Sequence, residues 1–265
     1  MITYPQIDPV AIHLGPLAIH WYGLMYLFGF LGGWCLLSWR IRTQNTGFNK
    51  EQLSDLLFYI ALGVVLGGRI GYVLFYDWAN TIANPLHIFE IWKGGMSFHG
   101  GLLGVVLAAW LYARRYNKSI FEVGDFVAPT IPIGSALGRI GNFINDELWG
   151  RTTDVPWGIV FPNAGSVPRH PSQIYEFFLE GIVLFTILFV FTNKQRPLGS
   201  VSGLFLILYG TFRFFVEFFR EPDVQIGYVA WGWMTKGQLL SIPMIIIGLM
   251  MFVWAYRRKP LCNSI

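Results

Sequence analysis

The dominant feature of this chain is a series of long apolar runs almost free of charge. The first, residues 17–39, reads LAIHWYGLMYLFGFLGGWCLLSW and contains no Lys, Arg, Asp or Glu. At about 1.5 Å per helical residue it is long enough to cross a hydrocarbon core about 30 Å thick. Similar runs follow at about 56–76, 96–113, 177–192, 198–219 and 238–256, and a weaker one at 123–144 is interrupted by Pro129, Pro132 and several glycines. These runs predict an all-α integral membrane protein with seven transmembrane helices. Composition agrees: 13% of the 265 residues are charged and 54% hydrophobic, against about 25% charged in a soluble domain. Too little polar surface remains for a water-facing globule, a disordered chain or a coiled coil. The sixteen residues before the first run carry no positive charge, so the run is expected to be a retained anchor and not a cleaved leader.

Basic residues set the expected orientation, because Lys and Arg collect in cytoplasmic loops. Arg40, Arg42 and Lys50, then Arg114, Arg115 and Lys118, then Lys194 and Arg196, and finally Arg257, Arg258 and Lys259 fall on one side: eleven of nineteen. Lys93, Arg151, Arg169, Arg220 and Lys236 fall on the other, and Arg69, Arg139 and Arg213 lie in or at the edge of spans. The N-terminus is expected outside and the C-terminus in the cytoplasm, with residues 1–265 forming a single polytopic domain. Its one sizeable extracytoplasmic feature is expected at about 145–173, between helices four and five. The formal charge of +4 is scattered between apolar runs, which points to anionic lipid and away from nucleic acid. Cys35 and Cys262 lie far apart and are expected unpaired.

Gly63, Gly67 and Gly71, and Gly100, Gly104 and Ala108, recur every four residues and predict close helix packing. Charged groups in the spans need another explanation. An arginine at the centre of a membrane helix costs about 2.5–3.5 kcal/mol on insertion scales, so each needs a partner, a wet cavity or a ligand. On the expected orientation His20, Tyr22, Arg69, His99, Arg139, Asn142, Arg213 and Glu217 all fall in the outer half of the bilayer, as a single site open to the outer leaflet requires. Arg213, Glu217 and Arg220 share one helix face by their i, i+4, i+7 spacing, with Tyr209 one turn earlier. Two readings follow. The stripe is a self-satisfied ion pair, or Glu217 orients Arg213 while the guanidinium keeps donors for an anionic oxygen such as phosphate. Arg139, in GRIGNF, lies between glycines that allow close approach of a ligand or a neighbouring backbone. His99, flanked by glycines in GGMSFHGG, is an interface anchor or, beside a bound phosphate, a proton acceptor. Ser97 is a poor nucleophile, since residues two apart point to different sides of a helix and no third group orients them. The five histidines form no close ligand pair, so no metal is expected. Asp125 is read as capping or bracing helix four, and Asp8, Asp146 and Asp154 as turn or cap residues.

The segments HWYGLMY (20–26), GGRIGYVLFY (67–76), GGMSFHGGLLG (94–104), GRIGNFINDELWGR (138–151), RHPSQIYE (169–176) and FRFFVEFFREPD (212–223) together resemble the bacterial prolipoprotein diacylglyceryl transferases, in order and over nearly the whole chain. Asp146 departs from the family's usual small or uncharged residue, and the stretch between Arg151 and Arg169 is short for the family. The resemblance implies a multi-pass enzyme of the bacterial cytoplasmic (inner) membrane. It would move the diacylglyceryl group of phosphatidylglycerol onto the lipobox cysteine thiol of a prolipoprotein signal peptide, forming a thioether and releasing glycerol phosphate, with no cofactor. The substrate supplies the thiol, so Cys35 and Cys262 are bystanders. His99, Arg139 and Arg213 are the expected catalytic residues, with Arg139 on the lipid phosphate and Tyr22, Asn142, Glu147, Gly150 and Glu217 as substrate-binding positions. Glu147 is an alternative base. An anionic-lipid transporter or flippase would use the same arginines without covalent chemistry, and a scaffold would merely pair them. Transporters often carry broken helices in both halves, whereas here only the fourth run is broken.

Overall fold

The computed structural model describes residues 2–15, 17–91, 94–222 and 227–258, without the side chains of Leu14 and Leu17. Lys93, Asp223, Lys259 and Cys262 lie outside the described residues. The chain forms two compact units, one built from residues up to Leu36 and from Asp125 onward, the other from Leu37–Gly124.

Before its first helix the chain makes a short strand β1 (Ile2–Thr3) and a hairpin of β2 (Val10–Leu14) with β3 (Leu17–His20). Helix α1 therefore begins at Trp21 and runs to Thr43. The expected span from residue 17 starts four residues too early: these positions pair with β2, and His20, exposed, sits opposite Val10 in the ladder. The chain is thus mainly helical, consistent with the all-α membrane class, with a few short strands outside the helices.

In the unit from Leu37 to Gly124, α2 (Lys50–Tyr76) opens on a capping box between Asn49 and Gln52, and the short α3 (Trp78–Ala83) follows. Helix α4 (Phe98–Arg115) opens on Ser97, whose hydroxyl accepts from the Gly100 amide at 3.2 Å. That bond gives Ser97 a capping role. Helices α2 and α4 pack through the predicted glycines: a Cβ at Gly71 would fall 2.6 Å from Gly100 Cα, and one at Gly104 would fall 2.9 Å from Gly67 Cα. Arg69 is buried, but its guanidinium is spent on backbone. It donates to the carbonyls of Ile88 (2.9 Å), Gly94 (2.8 Å), Gly95 (3.1 Å) and His87. Arg69 therefore folds the connection to α4; it carries no ligand group.

In the other unit, the fourth apolar run forms α5 (Ile120–Val127), which begins in the neighbouring segment, a single 3₁₀ turn at Ala128–Thr130, and α6 (Ile131–Ile144). The break falls where Pro129 and Pro132 remove backbone donors. Gly29, Gly32 and Gly33 of α1 lie against Gly134, Ile133 and Thr130. The fifth run is α7 (Ser172–Glu176), a π-helical stretch Phe177–Val183, and α8 (Leu184–Phe191). Ala128, Leu184, Leu188 and Val201 make a core with Phe205 and Phe212 of α9 (Ser200–Val216). Asp125 braces its helix against α9. Its carboxylate accepts from the Gly199 and Ser202 amides at 2.7 and 2.8 Å and from the Ser202 hydroxyl. It thereby caps α9, whose N-cap, Gly199 in the left-handed region, has no side chain to do so.

Outside the helices, β1 pairs in parallel with β4 (Ile159–Val160), and β5 (Tyr228–Ala230) pairs with β6 (Met234–Thr235) ahead of the last helix, α10 (Lys236–Arg257). Tyr4, Ile159 and Phe161 form a small second core, from which the Tyr4 hydroxyl donates to the terminal α6 carbonyls of Phe143 (2.6 Å) and Ile144 (3.0 Å). Each of the seven apolar runs falls mostly on helix. Among the described residues five are long and apolar enough to cross a membrane: Trp21–Thr43, Lys50–Tyr76, Ile120–Ile144, Ser172–Phe191 and Lys236–Arg257. The chain is a helical multi-pass membrane protein.

The glycine contacts make a sharp prediction. Gly104→Ala, forced against Gly67, should lower stability by about 1–3 kcal/mol, as overpacking does; Gly134→Ala meets nothing within 4 Å and should cost nothing. Thermal unfolding in detergent checks the pair, and equal behaviour would contradict this packing.

Candidate active site

Three separate helical segments bring charge to one place. Helix α6 carries Arg139 and, one turn on, Asn142. The α7–π segment carries Glu176 and Glu180 at i, i+4, on one face. Helix α9 carries Arg213, followed at its end by Glu217 and then Arg220. The π segment lies tightly on α6 because Gly181 has no side chain: a Cβ there would fall 2.6 Å from that of Ala136. Single π turns often mark functional positions.

Glu176 is the hub. Its Oε1 accepts from Arg213 Nη1 at 3.0 Å and from Arg220 Nη1 at 3.4 Å, and its Oε2 is ion-paired with Arg139 Nε. Glu180 stands between Arg139 and Arg213, its two oxygens 3.9 Å from Arg139 Nη2 and 3.8 Å from Arg213 Nη1. Glu217 pairs with Arg213, lies 4.0 Å from Arg220 Nε, and accepts from the Thr235 hydroxyl at 2.7 Å. The side chain of Glu180 is fully buried, whereas that of Arg139 retains 18% exposure. The network thus turns carboxylates inward and leaves the arginine side chains, Arg139 and Arg213 about equally, partly exposed. Three arginines face three glutamates, which satisfies the requirement that buried charges be paired.

A second chain of contacts extends from Arg139. Its Nη1 donates to Asn142 Oδ1 at 3.3 Å, and Asn142 Nδ2 donates to Glu147 Oε1 at 2.7 Å. Asp146 and Leu148 both adopt positive φ, which reverses the chain after α6 and returns Glu147 toward it. The turn is held from α7: Gln173 Nε2 donates to the Glu147 carbonyl at 2.7 Å and Ser172 to that of Leu148 at 2.9 Å. Tyr22, the second residue of α1, lies beside Gly141, where a Cβ would come 2.8 Å from its Cδ2.

Gly150 allows a close approach of backbone. A Cβ there would fall 2.6 Å from the His170 carbonyl, and its amide donates to that oxygen at 2.8 Å. Arg151 then donates to the backbone of Phe219, Arg220 and Glu217, which fixes the segment bearing Arg220.

Of the residues anticipated from sequence, Tyr22, Arg139, Asn142, Glu147, Gly150, Arg213 and Glu217 all lie in this unit. Arg69 and His99 belong to the other. His99 is exposed in the first turn of α4, its ring edge-on to Phe98 at 5.6 Å. Glu217 pairs with Arg213 as its helix spacing suggested, and Glu176 grips the same guanidinium. Sequence reasoning passed over Glu176 and Glu180. A signal existed: two carboxylates one turn apart in a span of mean hydropathy 2.1 violate the same insertion cost that singled out the arginines. Among the described residues no cluster of His, Cys, Asp or Glu could hold a metal ion, and Cys35 is free and exposed.

The sequence model of the prolipoprotein diacylglyceryl transferase family matches residues 9–254. The chain belongs to that family. It is 62% identical over 258 residues, 97% of either chain, to the phosphatidylglycerol–prolipoprotein diacylglyceryl transferase of Pseudomonas paraeruginosa. It is 60% identical over 259 residues, 98% of this chain and 99% of the relative, to the protein of the same name from Coxiella burnetii.

The buried Asp146 of the turn beyond α6 provides a test outside the spans. Burial pushes its carboxyl above the ordinary range, against a smaller opposing pull from the Asn163 amide, which donates to Oδ2 at 2.8 Å. A raised carboxyl pKa means the fold favours the protonated form, so the contribution is present below the ordinary value of about 3.9 and is lost as pH rises through the folded value. Asp146→Asn should therefore melt higher than the parent at pH 7, the gap closing below about pH 4. A gap independent of pH would contradict the burial argument.

Proposed function

We infer that this protein transfers the diacylglyceryl group of phosphatidylglycerol to the cysteine thiol of a prolipoprotein, making a thioether and releasing glycerol phosphate. The observation that carries this reading is the convergence of Arg139, Arg213 and Arg220, with Asn142, Glu147 and Glu217, in one buried network in a helical membrane chain. The relatives named for this activity align with it almost end to end. A phosphodiester is an anion on an apolar body, the kind of ligand such a network suits.

In this account the lipid phosphate meets the Nη edge of Arg139 while Glu176 holds the other side of that guanidinium. Arg213 completes the clamp. The thiol sulfur attacks the glyceryl carbon that bears the phosphate ester. The carbon–oxygen bond breaks with its electron pair leaving on the phosphate, and the thiol proton passes to a base, a role for which His99 and Glu147 are the candidates. A thiol of ordinary pKa, about 8.5, is only a few per cent thiolate at neutral pH, so proton removal is a real part of the barrier. Each charge-assisted contact to the leaving phosphate contributes on the order of 1.5–3 kcal/mol. Tyr22, Asn142 and Glu147 shape the approach to Arg139. The full topology in this reading has seven spans, the N-terminus outside, the 145–173 segment on the outer face and the C-terminus in the cytoplasm, in a bacterial inner membrane.

The decisive assay incubates purified protein with phosphatidylglycerol and a lipobox peptide and follows both products by mass spectrometry. The diacylglyceryl mass increment and free glycerol phosphate should appear together; neither, from folded protein, would favour transport without chemistry. Arg139→Ala should lower turnover on the order of 10²-fold or more with the fold intact, the scale on which a transition-state donor matters. His99→Gln should slow transfer with partial recovery at higher pH, and an unchanged pH profile would remove His99 from proton transfer.

A further inference from the structure

The Glu180 carboxyl is anomalous. It is completely buried, and among the described residues neither of its oxygens accepts a hydrogen bond. Its neighbours are nevertheless donors: Arg139 and Arg213 stand just beyond hydrogen-bond reach on either side, at 3.9 and 3.8 Å. Leaving a buried carboxylate without hydrogen bonds is costly, and Glu180 serves the network through its charge alone, as the third negative charge against three arginines. Glu176 already supplies contacts to both arginines and to Arg220. Glu180 also faces Tyr209 of α9, and Glu176 is a like charge beside it.

A network of three arginines and three glutamates becomes overloaded with negative charge when a phosphate enters it. Some carboxylate must then yield its share of the guanidiniums, and Glu180 can do so without breaking a hydrogen bond. When the carbon–oxygen bond breaks, the phosphodiester becomes a phosphomonoester of higher charge, which two arginines without a competing anion would hold more firmly than the substrate. Fast turnover needs the reverse.

We propose that Glu180 is a positioning residue whose buried, hydrogen-bond-free carboxylate competes with phosphate for Arg139 and Arg213, ceding them to the lipid and reclaiming them so that glycerol phosphate leaves. The inference rests on the transferase reading. It adds a residue to that machinery and a step, product release, that the residue controls. Glu176 keeps the arginines in place throughout; Glu180 weakens their grip on the anion. The class of molecule most affected is a phosphomonoester, through charge and not through the shape of its alcohol.

The test measures inhibition by added glycerol 1-phosphate together with kcat and KM for phosphatidylglycerol. Removing one competing charge in a low-dielectric site should tighten glycerol phosphate about tenfold in Glu180→Gln, lower KM, and lower kcat as product release slows. A merely structural glutamate would give a variant with weaker or unchanged product inhibition, and that result overturns the proposal. If Glu180→Gln does not fold, Glu180→Asp withdraws the charge by one methylene and should also be inhibited more strongly than the parent. Inhibition equal to the parent's overturns the proposal as surely. A parent protein that makes no thioether would instead remove the transferase reading on which the proposal stands, whereas an active parent with an indifferent Glu180 variant would remove this inference alone.

Discussion

Guanidinium groups cannot be left bare inside a hydrocarbon layer, and the unit built from α6, the α7–π segment and α9 is organised around meeting that requirement. Glu176 meets it for three arginines at once. Its carboxylate ties Arg139 on α6 to Arg213 and Arg220 on and beyond α9, so the helix that carries it sets how far apart the two sides stand. Local features serve the same end. Gly181 lets the π segment lie against Ala136, Asp125 caps α9, and Gly150 and Arg151 pin the backbone around Arg220.

A salt-bridge network of this kind is poor evidence for stability, since well-packed apolar residues of similar volume often do as well or better. Its retention points to function. The carboxylates are turned inward and the arginines stay partly exposed, an arrangement that holds cations ready for an anion while their charge is balanced in its absence. Arg69 is the instructive contrast. It is the same residue type and more deeply buried, yet backbone carbonyls take up its guanidinium; it organises a connection, with no carboxylate partner among the described residues.

Much of this was legible in the chain itself. Long uncharged runs located the helices because a membrane span tolerates little else, and Pro129 and Pro132 marked the break in the fourth. Gly63, Gly67 and Gly71 announced a close helix contact through spacing alone. The hairpin before α1 was not legible, because LAIH reads equally as helix or strand when only hydropathy is considered, and pairing with residues 10–14 decides it. Asp125, read as capping or bracing helix four, does brace that helix, but against α9, and a carboxylate's partner 74 residues away leaves no local trace. Within the candidate site the arginines stood out by their cost. Glu176 and Glu180 were missed through uneven application of that rule, with Glu176 falling one residue outside the expected span. Tertiary convergence, the fact that Tyr22, Arg139, Asn142, Glu147, Arg213 and Glu217 share one unit, needed coordinates.

The central claim is that arginines held by buried glutamates receive the phosphate of a membrane lipid. Solid-state NMR distance measurement between the lipid phosphorus and ¹⁵N-labelled arginine side chains, with the protein in phosphatidylglycerol bilayers, tests it most directly. The account expects strong dipolar coupling from two guanidiniums, one lost in Arg139→Lys and the other in Arg213→Lys. Coupling that survives both replacements, or that comes only from arginines such as Arg42 or Arg257 at helix ends, would contradict it.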